Sequence, residues 1–286
     1  MAQSNPETIT HSFNSIIALA VDERRALTVP ERFKVDGILD SLYSSDKSSY
    51  YYCYANLAAL TGDAKGMDEC ANYFFSLKGK QLSKGALQCI FALNNASCFD
   101  NLYSILKNYD IKTFHIDELI TVYLKSAILS FNFDDARALI EELDVNDDCI
   151  SREQIESILE MLYNFEVFYF SYQEKDRLHV KEYFNKIIKI HREKITSRIY
   201  KVAGPSIIRP DIFSDEGNVF MNVIIEYVSD DIDYAMDIEN YFYKVLRENT
   251  KDIKANIMSS VVYNILPISS KDSLPFTERV IEVGLD

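Results

Sequence analysis

Residues 116–143, IDELITVYLKSAILSFNFDDARALIEEL, decide the fold class. Leu119, Ile120, Tyr123, Leu124, Ala127 and Ile128 recur at steps of three and four, which places them on one face of a helix that turns every 3.6 residues. Asp117, Glu118, Lys125 and Ser126 occupy much of the remainder. Phe131-Asn132-Phe133-Asp134 then breaks the pattern, with Asn132 or Asp134 positioned to accept a hydrogen bond from the free amides of a new helix. Ala136, Leu139, Ile140 and Leu143 restart the spacing, so the stretch predicts a helical hairpin.

Earlier stretches lie over this one. Steps of 34 and then 35 residues back keep the apolar columns aligned: Leu124, Ile90 and Ala55 form one, Ala127, Leu93 and Ala58 another. In the second helix Ala136, Leu102 and Met67 align, then Leu139, Ile105 and Cys70, then Ile140, Leu106 and Ala71, then Leu143, Tyr109 and Phe74. A step of 34 forward gives Ile158 and Met161, which opens a fourth unit. A fixed period of this length is the mark of stacked helical repeats.

The first of these units, SSYYYCYANLAALTGDAKGMDECANYFFSLKGK, turns at Thr61-Gly62-Asp63-Ala64. Here the chain resembles the tetratricopeptide-repeat family, with Ala55, Ala58, Gly62, Asp63, Ala71 and Phe74 at its small and aromatic packing columns, over about residues 48–143. The second and third turns, Asn95-Ala96-Ser97 and Phe131-Asn132-Phe133, depart from that pattern, and the units lack the family's late proline and early tryptophan. The resemblance implies an α-α superhelix whose first helices line a groove for an extended peptide or a partner's helix. Carried over, it places Tyr52 and Asn56, Lys84 and Asn94, and Thr121 and Lys125 in that groove.

Composition agrees with a packed, helix-rich chain. Hydrophobic residues make up 48% of the 286, while only 8 Gly and 6 Pro leave little material for the many tight turns of an all-β protein. The 44 acidic residues outnumber 30 basic ones for a net charge of −14, which opposes phosphate backbones, disfavours direct nucleic-acid binding and suits a basic or neutral protein partner. Cys53, Cys70, Cys89, Cys98 and Cys149 form no C-x-x-C pair and read as reduced core residues of a cytoplasmic protein. MAQSNPETITHSF has neither the basic start nor the apolar run of a signal peptide, and no segment offers ~18 uncharged apolar residues to cross a membrane.

Before the repeats, Ile9, Phe13, Ile16, Ile17 and Ala20 predict a first helix, and Pro30 opens a second whose face is Phe33, Ile38, Leu39 and Leu42. After residue 143 an acidic linker leads to a helix from Ser151, which the run MLYNFEVFYFSY extends and packs on more than one side. Leu178, Tyr183, Phe184, Ile187, Ile188 and Ile195 mark a last long helix that closes the array. The period changes near Gly204-Pro205. Residues 218–228 and 257–266 are β-branched and aromatic, residues 234–248 between them are helical in spacing, and 279–283 offer a further strand. The expectation is a mostly α protein, with a tetratricopeptide-like solenoid over residues 1–200 and a small α+β module over 201–286 whose first two strands run parallel.

No short catalytic motif stands out: phosphate-binding glycine loops, dinucleotide turns and nucleophile elbows are missing from the sequence. The sharpest charge asymmetry is residues 211–239, with nine carboxylates and no Lys or Arg. Asp230, Asp231, Asp233 and Asp237 gather where a helix begins, so capping accounts for much of it. Asp233 and Asp237 with Glu226 or Asp230 are the one set suited to a hard cation in a metal-dependent enzyme. The same face also suits an acidic inhibitor seated in the basic groove of a nucleic-acid enzyme. The histidines, His11, His115, His179 and His191, are scattered, and the basic residues of 175–198 are diluted by Glu174, Asp176, Glu182 and Glu193, which predicts a solvated face or a dock for the acidic module. The reading is therefore a non-enzymatic adaptor or regulator with no cofactor and no metal.

Overall fold

Five of the described helices start on a capping side chain. The computed structural model describes residues 6–23, 25–75, 82–143, 150–203, 206–215 and 218–268. Within them the protein is mostly α, with one three-stranded sheet toward the C-terminal end. Helix α1 (Pro6–Asp22) is followed by α2 (Val29–Ser45), whose start is a full capping box: Thr28 accepts from the Glu31 amide while Glu31 reaches back to the Thr28 amide. Asp46 caps α3 (Lys47–Thr61), and Gly62, at φ 69, ends it in the left-handed conformation before α4 (Ala64–Phe75). Next come α5 (Lys84–Asn95), α6 (Phe99–Leu106), α7 (Asp117–Leu129) and α8 (Phe133–Glu142). Asn132 stands at the start of α8, yet its side chain makes no cap and donates back to Ser130 O at 2.9 Å, because Phe131 at φ 56 already redirects the chain.

Helix α9 (Arg152–Phe170) opens on the Ser151–Gln154 capping box and runs through the aromatic stretch as expected. The packing order is regular. Helix α3 touches α4 and α5, α5 touches α6 and α7, and α7 touches α8 and α9, while each second helix also meets the next first helix. Helices α1 and α2 pack on α3, where Phe13, Val35, Leu42 and Cys53 form a small core of their own. The remaining helices share one larger core around Ile90, Leu93, Leu124 and Ala127.

One long helical run crosses the hairpins. It consists of α10 (Glu174–Ile190), a π-helical turn (His191–Ile195) and α11 (Thr196–Ala203). Along it, Lys181 Nζ donates to Ser130 O at 2.6 Å in the α7–α8 turn, and Arg192 Nη1 donates to Cys98 Sγ at 3.4 Å in the α5–α6 turn. Thr196 and Ser197 back onto Gly62 in the α3–α4 turn, and Tyr200 accepts from the Leu27 amide at 3.1 Å in the α1–α2 loop. From Lys181 to Tyr200 the rise is about 28 Å, so this one run reaches four successive hairpin turns.

The sheet has the order β1-β2-β3, with β1 (Ile207–Asp215) antiparallel to β2 (Asn218–Val228) and β2 parallel to β3 (Val261–Ile268). Helices α12 (Ile232–Asn249) and α13 (Ala255–Met258) form the crossover, so the expected parallel pair is present. Two details differ. Ile257 belongs to α13, buried as the anchor of that single turn, and the strand begins only at Val261. Strand β1 was outside the sequence expectation: Pro210 weakens the signal, and a proline is tolerated there because β1 is an edge. Met221, Val223, Ile225 and Ile265 face the helices and join the larger core. The expected strand at 279–283 lies outside the described residues.

Candidate partner-binding face

The residues that the repeat register places in a groove lie on α3, α5 and α7, and their environments differ. Asn56 is half-buried, and its side chain receives Gln88 Nε2 at 2.6 Å, tying α3 to α5. Its own amide group donates to Tyr52 O at 3.2 Å. The Tyr52 hydroxyl accepts from Asn14 at 3.2 Å, and burial pushes its pKa up, so Tyr52 serves the joint with α1. Lys84 is exposed in the first turn of α5, just after the Ser83 cap, and Asn94 is half-buried near the other end of that helix. On α7 the residues from Leu119 to Leu129 are buried except Thr121, which is half-buried, and Lys125, which is exposed; the Thr121 Oγ1 has no hydrogen-bond partner among the described residues. The six are not a single contiguous patch: Asn56 and Tyr52 are engaged with neighbouring helices, while Lys84 and Lys125 face solvent.

Helix α9 adds what sequence reasoning missed. Its inner line, Ile158, Leu162, Phe165 and Phe168, is buried against α7, α8 and the sheet. A second apolar line, Leu159, Tyr163, Val167 and Phe170, stands in solvent, with Tyr163 66% exposed. The expectation that this aromatic run packs on more than one side therefore holds for one line of it only. Glu153, Glu156 and Glu160 flank the open line, and Arg152 pairs with Glu156 at 3.0 Å. Beside the open line, one turn from both Tyr163 and Phe170, the nearly buried Glu166 is held by a bidentate pair with Arg137 of α8, which fixes how α9 is rotated. Steps of four along α9 would have shown both lines; their apolar continuity hid the second.

The acidic face is partly employed elsewhere. Asp230, Asp231, Asp233 and Asp237 are all exposed near the start of α12, and Asp231 caps the helix by accepting from the Tyr234 amide at 3.0 Å. Glu226 pairs with Arg209 across the β1–β2 ladder at 2.8 Å, which removes it from any cation shared with Asp233 and Asp237. Among the described residues no three His, Cys, Asp or Glu side chains converge as around an ion. The basic helix α10 does dock the C-terminal part: Lys186 pairs with Asp252 at 2.8 Å and Lys254 with Asp176, while Arg198 of α11 lies 4.4 Å over the Tyr241 ring. A cleft of about 190 Å³ between α7, α8 and the 3-10 turn Ile111–Phe114 has its rim cation and anion, Lys112 and Glu142, paired with each other at 2.6 Å.

His191 sits in the π turn, wholly enclosed, with Nε2 3.3 Å from Thr196 Oγ1. Burial lowers its pKa to about 4, so the ring is neutral at physiological pH. Cys53, Cys70, Cys89 and Cys98 are free and buried; burial pushes Cys53 and Cys70 up to about 12 and raises the other two as well. No helix among the described residues is long and apolar enough to cross a membrane. Comparison with known proteins gives no match, whether with protein-family models, curated proteins or solved structures.

Proposed function

We propose that this protein is a non-enzymatic, cytoplasmic adaptor or regulator that holds a partner protein's segment across α3, α5, α7 and α9, the first helices of a tetratricopeptide-like solenoid. One observation carries the reading: α3, α5 and α7 each pack on their own second helix and on the next first helix, the nearest-neighbour order of stacked repeats, and α9 ends the series. Such stacking leaves the first helices side by side as one continuous surface, and Lys84 and Lys125 are solvent-facing on it. Four buried thiols kept in reduced form suit a cytoplasmic setting.

The test is capture of partners by the full chain, followed by hydrogen exchange on the complex. Protection on α3, α5 and α7, with capture lost in the Lys84→Glu/Lys125→Glu double variant at unchanged melting temperature, supports the reading. Partners retained by that variant, or protection confined to α12 and the sheet, overturn it. The latter outcome favours a second reading, an acidic inhibitor of a nucleic-acid enzyme, which draws support from the exposure of Asp230, Asp231, Asp233 and Asp237 together. Binding through that face weakens sharply between low and high salt, because exposed charges are screened over a Debye length of about 10 Å at 0.1 M.

A further inference from the structure

The open line of α9 is an exposed apolar feature that the six groove residues do not account for. Leu159, Tyr163, Val167 and Phe170 follow one another at steps of four, four and three, so they form a straight apolar ridge about three turns long. Helix α7 packs on α9, and a step of 34 from Lys125, the exposed residue between Leu119 and Leu129 of α7, leads to Leu159. Contiguous exposed apolar side chains rimmed by polar ones mark interaction sites.

We propose that this ridge docks the apolar face of a basic amphipathic helix from a partner protein. The proposal rests on the partner-binding reading above and names the class of partner. Charge selects the occupant. Glu153 and Glu160 are exposed beside the Leu159–Tyr163 half of the ridge, Glu156 there pairs with Arg152, and Arg177 lies over Phe170 at the other end, so a helix with Lys or Arg beside the half of its stripe that meets Leu159 and Tyr163 gains attraction there. A second copy of this chain would bring another −14 to the contact. The chain's own residues 269–286 hold Lys271 and Arg279 against Asp272, Glu278, Glu282 and Asp286, a net −2, and match the border no better. Anionic lipid is repelled by the same carboxylates.

Fluorescence anisotropy on the full chain provides the test, with three probes: an 18-residue helix of Leu at helical spacing with Lys elsewhere, a twin with Glu in place of Lys, and a peptide of residues 269–286. The Lys helix is expected to bind, with Tyr163→Asp weakening it by about tenfold, the loss typical of one central aromatic anchor. Ile232→Asp, which places the same charge at an exposed apolar site on α12, is expected to leave binding unchanged or slightly tighter. The sign separates docking from bulk attraction, because Tyr163→Asp makes the protein more acidic. A Lys helix that fails to bind, or that binds Tyr163→Asp as well as the parent chain, overturns the proposal. So does equal or tighter binding of the Glu twin or of 269–286, or a concentration-dependent dimer in sedimentation that Tyr163→Asp dissolves. Loss on Tyr163→Asp with no effect of Lys84→Glu/Lys125→Glu supports the ridge while counting against the wider groove; the converse keeps the groove and sinks the ridge.

Discussion

Gly62 is the position where one substitution tests the whole arrangement of hairpins under the long helix. Its φ of 69 is the left-handed conformation, which costs a residue with a Cβ about 1–2 kcal/mol. A Cβ here would also lie 2.7 Å from Thr196 Cβ and 2.8 Å from the Ser197 amide nitrogen, and backbone cannot rotate away as a flexible side chain can. Overpacking of that kind adds about 1–3 kcal/mol, so Gly62→Ala is expected to cost about 2–5 kcal/mol in all. Gly62→Asn separates the two contributions, since asparagine tolerates the left-handed region but keeps the Cβ. It should keep the crowding cost alone, about 1–3 kcal/mol. Gly37, in the exposed middle of α2 with nothing within 4 Å, is the opposite case, and Gly37→Ala should stabilise by about 0.5–1 kcal/mol. Urea titration with an unchanged slope is the assay. A Gly62→Asn variant as stable as the parent refutes the reasoning, because it would mean that α11 is not seated on the α3–α4 turn.

Two further outcomes follow from buried titratable groups. The folded-state pKa of His191 lies near 4, below the ordinary 6.5, so the unfolded chain binds the extra proton between those values and stability falls as pH drops from 6.5 to 4. The contribution reaches about 3 kcal/mol, and the stability gap between the parent and His191→Gln should narrow by that amount over this window; a gap independent of pH sinks the argument. Cys53, Cys70, Cys89 and Cys98, enclosed and with raised pKa values, should resist iodoacetamide at pH 8 in native buffer and react in urea, read peptide by peptide by mass spectrometry. Rapid native labelling of any of the four would show that its helix opens.

Many of the helices were legible in the sequence because they carry an apolar stripe of their own, and several a start signal as well. Thr28 with Glu31, Asp46, Ser151 with Gln154, and Asp231 sit at helix starts, and the columns through Leu124 and Ala127 are buried in the folded chain. What escaped depends on partners remote in sequence. Tyr52 reads as a groove residue until Asn14, 38 residues away, takes its hydroxyl. Strand β1 needs β2 to complete its ladder, and its own alternation of Ile208, Pro210 and Ile212 is short and interrupted by proline. The α9 ridge escaped for a different reason. Its two apolar lines are equally hydrophobic, and only the number of neighbours around the helix decides which of them is covered.

The π turn accounts for how one helix reaches four hairpins. Lys181 and Arg192 are eleven residues apart, about three full turns, so both point to the same side. A plain α-helix would carry Tyr200 about 100° away from Lys181, off the hairpin edge and away from Phe13, Leu42 and Cys53. The π turn at His191–Ile195 absorbs one residue without adding to the winding, which brings Tyr200 back into line with Lys181. The Thr196 amide closes the wider turn onto His191 O, and the Thr196 hydroxyl adds a second bond to the same oxygen at 3.1 Å. In an open solenoid curvature is the sum of many separate repeat interfaces. Here one continuous helical run grips four successive turns, so the hairpins cannot splay without breaking contacts along it. If the proposed partner binding holds, the first-helix surface and the α9 ridge are set before association, and the ordering cost falls on the partner.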